Sequence, residues 1–235
     1  MFHQKIENMK RIILPIIAIL LISPSAFSQK TVFGTVDYAY KLVGAGAQQM
    51  QGMMPEKMEI KYGENGIAIE MQGGMMSAAT GKTVVNGITG EAFIVKDTEK
   101  TVYLMSDETI KAEAAKVDDA EIKKLDETRE IMGYECQKYL QTTIVQGMNM
   151  SQVIWVTKDL KAPDYEGEAF KGMAGQGTMS FKIDGFPMLI EVEMPGMSTT
   201  LQLEVSNIEY EKIPDSTFER PADYAVKDFS EMSQF

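Results

Sequence analysis

The amino-acid sequence predicts a mainly β protein of the α+β class, with a strongly curved antiparallel sheet or half-open barrel and a few short helices. A hydrophobic period of two recurs along most of the 235 residues, which is typical of strands with one buried and one exposed face. Turn residues such as Gly63-Glu64-Asn65-Gly66 separate neighbouring apolar runs and predict hairpins. A flat sheet of so many strands would leave long edges exposed, so we expect a curved one.

The first half of the chain has the pattern of a meander of short strands. In the first strand, every second residue is apolar or aromatic, as Val36, Tyr38 and Tyr40 show, and polar residues such as Asp37 and Lys41 lie between them. The same alternation predicts further strands over residues 58–62, 67–71, 83–86, 92–96 and 101–105.

Two segments interrupt the strand pattern. Residues 107–125 are rich in Ala, Glu and Lys, which predicts one helix or two short ones facing solvent. Residues 166–174 predict a second short helix, whose length glycines limit. Strands are predicted over residues 134–144, 152–157, 178–183, 188–194 and 201–205, with no linker and no second domain.

The first 28 residues have the features of a removable signal peptide. Lys10 and Arg11 precede an apolar run over residues 12–22, and Ala26 and Ser28 supply the small residues of a cleavage site before Gln29. The run is too short to span a bilayer, which takes about 20 apolar residues. We therefore expect a signal peptide over residues 1–28 and a single exported, β-rich domain over residues 29–235, periplasmic or extracellular, without a transmembrane segment.

Charge and residue types exclude several classes of function. Loss of residues 1–28 would change the formal net charge from −11 to −13, and basic residues form no cluster, so nucleic acid is not an expected partner. The sole histidine, His3, lies before the predicted cleavage site. Hydrolysis by Ser-His-Asp or Cys-His groups and the usual zinc sites all require histidine or several cysteines. We expect a protein that is not an enzyme and has no catalytic residues, no cofactor and no metal.

Three segments carry a family resemblance. They are residues 131–139 (Ile-Met-Gly-Tyr-Glu-Cys-Gln-Lys-Tyr), residues 155–160 (Trp-Val-Thr-Lys-Asp-Leu) and the closing residues 215–224 (Asp-Ser-Thr-Phe-Glu-Arg-Pro-Ala-Asp-Tyr). The chain resembles an uncharacterised family of exported bacterial proteins that share a domain of unknown function, and the wider group with the LolA-like fold of periplasmic lipoprotein carriers. The resemblance implies a half-open antiparallel barrel whose concave face can hold acyl chains.

Methionine is unusually abundant, with 19 residues in the chain. Several lie in groups: Met50, Met53, Met54 and Met58; Met71, Met75 and Met76; Met148 and Met150; Met188, Met194 and Met197. Flexible thioether side chains fill irregular cores, line pockets that accept ligands of variable shape, and bind copper(I). All three interpretations are open at the level of sequence.

The sequence favours a non-enzymatic protein that binds an apolar ligand, a lipid or acyl chain, in the concavity of a curved sheet. Apolar residues of one parity should line that concavity, and we predict the ligand-binding residues to be Val153, Trp155, Met188, Ile190, Val192, Leu201 and Leu203, with Ile154 as the alternative to its neighbour Trp155. The alternative is a ligand-free structural or interaction module of the cell envelope. The oligomeric state is not determined by the sequence.

Processing provides the first test. The mature chain should begin at or within a few residues of Gln29 and should be found in the periplasmic or extracellular fraction. N-terminal sequencing of protein from its own host measures this directly. A dominant cytoplasmic species that begins at Met1 or Met9 would contradict the export prediction.

Overall fold

A computed structural model describes residues 29–114, 121–145, 148–170, 183–194, 196 and 198–232. The first seven strands are β1 (Lys30–Thr31), β2 (Gly34–Gly44), β3 (Lys57–Tyr62), β4 (Gly66–Gln72), β5 (Lys82–Asn86), β6 (Glu91–Lys96) and β7 (Thr101–Leu104). The others are β8 (Glu121–Ile131), β9 (Tyr134–Val145), β10 (Met148–Thr157), β11 (Leu160–Lys161), β12 (Phe186–Met194), β13 (Thr199–Glu209) and β14 (Ala225–Asp228). The helices are α1 (Ala47–Met50), α2 (Gly74–Thr80) and α3 (Asp107–Ala114).

Twelve strands of the described chain form one open sheet. Its order is β14-β7-β6-β5-β4-β3-β2-β13-β12-β10-β9-β8, and β1 and β11 form a separate two-stranded pair. Every pairing in the large sheet is antiparallel except that of β14 with β7, which is parallel. The predicted mainly β class with an open sheet is confirmed, and the parallel pair at the β14 edge makes the sheet mixed.

The small β1–β11 pair shows how strongly the sheet curves. Strands β2 and β10 are separated by β13 and β12, so in a flat sheet they would lie about 14 Å apart. Two residues before β2, however, β1 pairs with β11, which begins shortly after β10 ends. The Val32 amide donates to the Lys161 carbonyl at 2.9 Å. The sheet therefore curls until the extensions of β2 and β10 meet, and we call this the closed end.

Aromatic side chains fill the closed end. The rings of Tyr62 in β3 and Phe186 in β12 meet edge to face with centroids 6.2 Å apart, although three strand spacings separate β3 and β12 in the sheet. The Tyr38 hydroxyl, fully buried, donates to the carbonyl of Pro187 at 2.8 Å. After β11, Tyr165 stacks on Phe170 and donates to the carbonyls of Gly63 and Gly66 in the β3–β4 turn, at 2.7 and 2.9 Å.

The C-terminal segment covers the opposite, convex face of β4–β7. Phe218, in a 3-10 turn over Asp215–Phe218, is 1 % exposed. Its ring lies so close to Gly63 and Gly66 that a β-carbon at either glycine would collide with it. Asn86 donates through Nδ2 to the Phe218 carbonyl at 3.1 Å. The members of this second apolar cluster are Ala68, Val84, Phe93, Val95, Val102, Ile213 and Phe218. The closing segment therefore has a structural role in the second core.

The structure corrects the prediction of helix over residues 107–125. Helix α3 ends at Ala114, and β8 begins at Glu121. Strand β8 is an edge strand that pairs only with β9 in the described chain, and most of its side chains are exposed. Natural edge strands carry charges that prevent further pairing, and Glu121, Lys123 and Lys124 of β8 gave this segment the composition of a solvated helix. Of the predicted helix over 166–174, residues 168–170 are helical, and residues 171–174 lie outside the described residues. The predicted strand over 178–183 also falls outside them, except for residue 183, which is not in a strand.

Buried tyrosines at the closed end predict a loss of stability in alkali. Burial raises the pKa of Tyr38, Tyr62 and Tyr165 above the usual value near 10. Above about pH 10 the unfolded chain releases phenol protons that the folded chain retains, so the free energy of unfolding should fall as pH rises. Urea unfolding followed by circular dichroism measures the dependence.

The variant Tyr165→Phe isolates part of this effect. At neutral pH it should lower the free energy of unfolding by about 1–2 kcal/mol, since the buried Gly63 carbonyl loses its phenol donor, whereas the Gly66 carbonyl still accepts from the Gly63 amide. It should also reduce the alkaline slope. Tyr210→Phe, at an exposed position, is the control. An unchanged slope in Tyr165→Phe would show that the phenol does not contribute to the alkaline loss.

Candidate functional site

Two parallel rows of side chains cross the concave face away from the closed end. Each row takes one residue from six strands, in the register of the strand pairings. The inner row consists of Lys124, Tyr139, Ile154, Ile190, Leu203 and Tyr40, in the order β8, β9, β10, β12, β13 and β2. The outer row consists of Ile122, Gln141, Gln152, Val192, Leu201 and Leu42 in the same strand order. Because side chains alternate along a strand, both rows face the same side of the sheet.

Burial differs between the rows. The centre of the inner row is packed, with Ile154 0 %, Ile190 3 % and Leu203 3 % exposed. In the outer row, Val192, Leu201 and Leu42 are only half-buried. The apolar concave face is therefore filled by its own side chains at the closed end and through the inner row, and is partly open at the outer row.

A cavity of about 420 Å³ adjoins this open part. Tyr40 and Leu42, the β2 members of the two rows, line it together with Met50 and Met54 from the segment around α1. Its size lies within the range of about 300–1,000 Å³ that is common for small-molecule sites. The Tyr40 side chain is partly buried, and burial raises the pKa of its phenol to about 12, so the hydroxyl keeps its proton at neutral pH.

Methionines form an exposed border beside the cavity. Met75 and Met76 in α2 donate their amides to the carbonyls of Gly52 and Met53, at 3.1 and 3.0 Å, which joins the α1 and α2 segments. Gly74 permits this contact because a side chain there would collide with the Met54 carbonyl. The exposed fractions are 48 % for Met53, 73 % for Met75 and 46 % for Met76. We call Met50, Met53, Met54, Met75 and Met76 the methionine lip.

Other methionines pack inside the protein. Met58, Met105 and Met188 are buried in the main apolar cluster. Met197 lies outside the described residues, as does the side chain of Met148. Core filling thus accounts for Met58, Met105 and Met188, whereas the pocket and copper(I) interpretations of the methionine lip stay predictions.

The predicted ligand-binding residues divide between the two faces of the sheet. Ile190, Val192, Leu201 and Leu203 share the concave face, since Ile190 pairs with Leu203 and Val192 with Leu201. Met188 is fully buried and stands at the register shift between β10 and β12, which interrupts the alternation. Val153 and Trp155 pair with Glu191 and Leu189, on the convex side of the same sheet. The geometric expectation that all seven line one cavity is therefore corrected for Val153 and Trp155, and ligand binding by the other five stays a prediction.

Trp155 belongs to a charged cluster on the convex face. Its indole Nε1 donates to Glu191 Oε2 at 3.0 Å, and Gln202 donates to the other oxygen of that carboxylate at 2.8 Å. The Arg129 guanidinium and the Lys138 ammonium lie 5.2 and 5.3 Å from the ring, within reach of a cation–π contact. These contacts hold the indole in place away from the concave cavity.

The described residues offer little for nucleophilic or metal chemistry. Cys136 is buried, and burial raises the pKa of its thiol to about 11, so the thiolate form is scarce at neutral pH. No group of three or more His, Cys, Asp or Glu side chains in the described part of the chain could hold a metal ion. Chemically, the concave site can bury hydrocarbon and form a few hydrogen bonds.

Sequence analysis missed Tyr139, Gln141 and Gln152 as members of the concave rows. The alternation of β9 shows two mixed faces, with Leu140 on one and Tyr139 on the other, so apolarity alone does not identify the inward side. Register with β10 decides it, because Tyr139 pairs with Ile154 and Gln141 with Gln152. No sequence signal marks this register.

Several solved structures resemble the chain. An uncharacterised conserved protein from Thermus thermophilus has 8% sequence identity and a TM-score of 0.44, over 83% of this chain and 90% of that chain. A DUF1329 family protein from Desulfovibrio piger has 18% identity and a TM-score of 0.37, over 80% and 90%. A putative outer membrane lipoprotein-sorting protein domain from Vibrio parahaemolyticus has 10% identity and a TM-score of 0.34, over 79% and 89%. At these TM-scores the likeness carries no information about a ligand.

Two further comparisons concern the membrane and the family. No helix in the described part of the chain is long and apolar enough to cross a membrane. None of the curated proteins matches the chain. The model of a protein family described as a domain of unknown function, DUF4412, matches residues 45–224, which is most of the chain, and the protein belongs to that family.

Proposed function

We propose that this protein is a non-enzymatic, exported binder of an apolar ligand, a lipid or acyl chain, held on the concave face of its sheet. The site consists of the half-buried outer row and the adjoining cavity beneath the methionine lip. The proposal places the ligand at Val192, Leu201 and Leu42, next to the packed side chains of the inner row.

The observation that carries the proposal is the difference in burial between the two rows. Both rows are largely apolar, yet Ile190 and Leu203 are buried whereas Val192 and Leu201 remain half-exposed, and Leu42 of the same outer row lines the cavity. Burying about eight methylene groups of an acyl chain there would contribute about 6 kcal/mol before the costs of association. That gain is sufficient for useful affinity without any charged contact.

The methionine lip suits the entrance to such a site. Unbranched thioether side chains adapt to ligands of different shape at little cost, and three of the five in the lip are exposed. The protein's acidic charge argues against electrostatic attraction to phosphate-rich surfaces. Hydrophobic contact is therefore the proposed source of affinity.

The non-enzymatic and exported parts of the proposal rest on the sequence. Residues 29–235 contain no histidine, and the single cysteine is buried. Export as one domain over residues 29–235, into the periplasm or the medium, rests on the signal-peptide features of residues 1–28. Under this proposal the ligand is bound and released without chemical change.

A matched pair of substitutions tests the site. Leu201→Asp places a carboxylate in the half-buried outer row and should weaken binding of myristate at least tenfold, because the charge would be desolvated by the ligand. Thr200→Asp changes the neighbouring residue on the opposite face and should bind as the wild type does. Calorimetry measures the affinity, and myristate should also raise the melting temperature of the wild type.

Trp155 fluorescence is a poor probe for this experiment, because the indole lies on the convex face. Equal affinity in the two variants would contradict the proposed site. Absence of binding to the wild type, for myristate and for phospholipid, would favour the ligand-free structural or interaction module instead.

Copper(I) is the other ligand that the methionines could take. If the methionine lip serves as an apolar border, strong copper(I) chelators should leave the melting temperature unchanged, and protein purified from its host should contain no stoichiometric copper. Metal analysis and thermal unfolding measure both. Tight copper binding that disappears when Met50, Met53 and Met54 are replaced by Leu would contradict the proposed apolar role.

A further inference from the structure

A buried polar atom without a partner lies in the outer row. Gln141 is 5 % exposed, and its Oε1 accepts no hydrogen bond. Among the described residues, Asp37 Oδ1 is the other buried side-chain oxygen with this property, but it has the Lys57 ammonium at 3.0 Å. Gln141 has no such compensating charge in its row.

The register defines the surroundings of Gln141. It pairs with Ile122 in β8 and Gln152 in β10, and Val192 follows Gln152 in the row. The Gln141 side chain therefore lies on the concave face, in line with the apolar side chains that border the open part of the site. Gln152 is half-buried there, so the row provides two amides among apolar neighbours.

An unpaired buried amide oxygen opposes folding, since it loses its hydrogen bonds to water and gains none in the protein. The chain fills other positions of the same face with Ile, Val and Leu. A leucine at position 141 would avoid this cost in folding free energy. The glutamine therefore indicates a hydrogen-bond donor that the ligand-free chain does not provide. A buried water molecule is held by two to four polar partners, and the Gln152 amide is the one other polar side chain of the row.

We propose that Gln141 determines ligand specificity by accepting a hydrogen bond from a hydroxyl group on the bound acyl chain. This inference rests on the proposed function, because it assumes that the outer row holds the chain. The ligand class is then a hydroxylated acyl chain rather than a plain hydrocarbon one. A site that accepts a hydrogen bond in apolar surroundings discriminates against ligands that cannot donate one, because the acceptor stays buried and unpaired.

The experiment compares myristate with hydroxymyristates that carry the hydroxyl near the carboxylate, at mid-chain or near the methyl end. Calorimetry with wild-type protein should show that at least one isomer binds about tenfold more tightly than myristate. The position of the favoured hydroxyl reports how far the chain extends along the row. In Gln141→Leu this preference should disappear, and myristate itself should bind more tightly, since no acceptor is desolvated.

Thr142→Val is the control, because Thr142 is the next residue of β9 and points to the opposite face, where its hydroxyl contacts Ser151. It should keep the wild-type preference. If wild-type protein binds myristate and every hydroxymyristate with equal affinity, the inference about Gln141 is wrong while the proposed function stands. If wild-type protein binds none of them, the proposed function fails, and the inference fails with it.

Discussion

The need to bury the apolar concave face governs this structure. A sheet of twelve strands has no layer of long helices on that face in the described chain, so it covers the face by curling onto itself. Pairing of β1 with β11 secures the curl, and the Tyr165 hydroxyl ties the segment after β11 to the β3–β4 turn. Each contact joins strands that are distant in the sheet, so the closed end stabilises the curvature of the whole.

Because the sheet closes at one end, the burial of its concave side chains decreases toward the other end. The proposed function depends on this difference in burial. Side chains converge where the strands curl together, which buries Tyr38, Tyr62 and Phe186 in one apolar cluster. Further along the same strands the walls diverge, and residues of the same chemical type become half-exposed. The proposed ligand site is thus a continuation of the core that the protein's own side chains do not fill. Under the proposal, the packed core and the binding site lie at opposite ends of the same apolar face.

Two polar side chains, Tyr40 and Gln141, lie on the concave face away from the closed end. Burial raises the pKa of the Tyr40 phenol to about 12, and Gln141 presents an oxygen without a partner. On the convex face, by contrast, both carboxylate oxygens of Glu191 accept hydrogen bonds, one from the Trp155 indole and one from the Gln202 amide. Among the described residues, Gln141 Oε1 is the buried side-chain oxygen that has neither a hydrogen bond nor an ion pair, and it lies on the face where the proposed ligand would lie.

The sequence by itself predicted most of the strands, since alternation is a local property: Tyr38 and Tyr40 in β2 and Ile190 and Val192 in β12 show which residues share a face. It also indicated the family, and by parity it placed Ile190, Val192, Leu201 and Leu203 on one face. Only the tertiary structure decided which face of β9 and β10 points inward, and so excluded Trp155 and added Gln141. It also decided that residues 121–125 belong to an edge strand. Register between strands and position at an edge depend on contacts between distant residues, and a one-residue shift exchanges the faces without altering the local pattern.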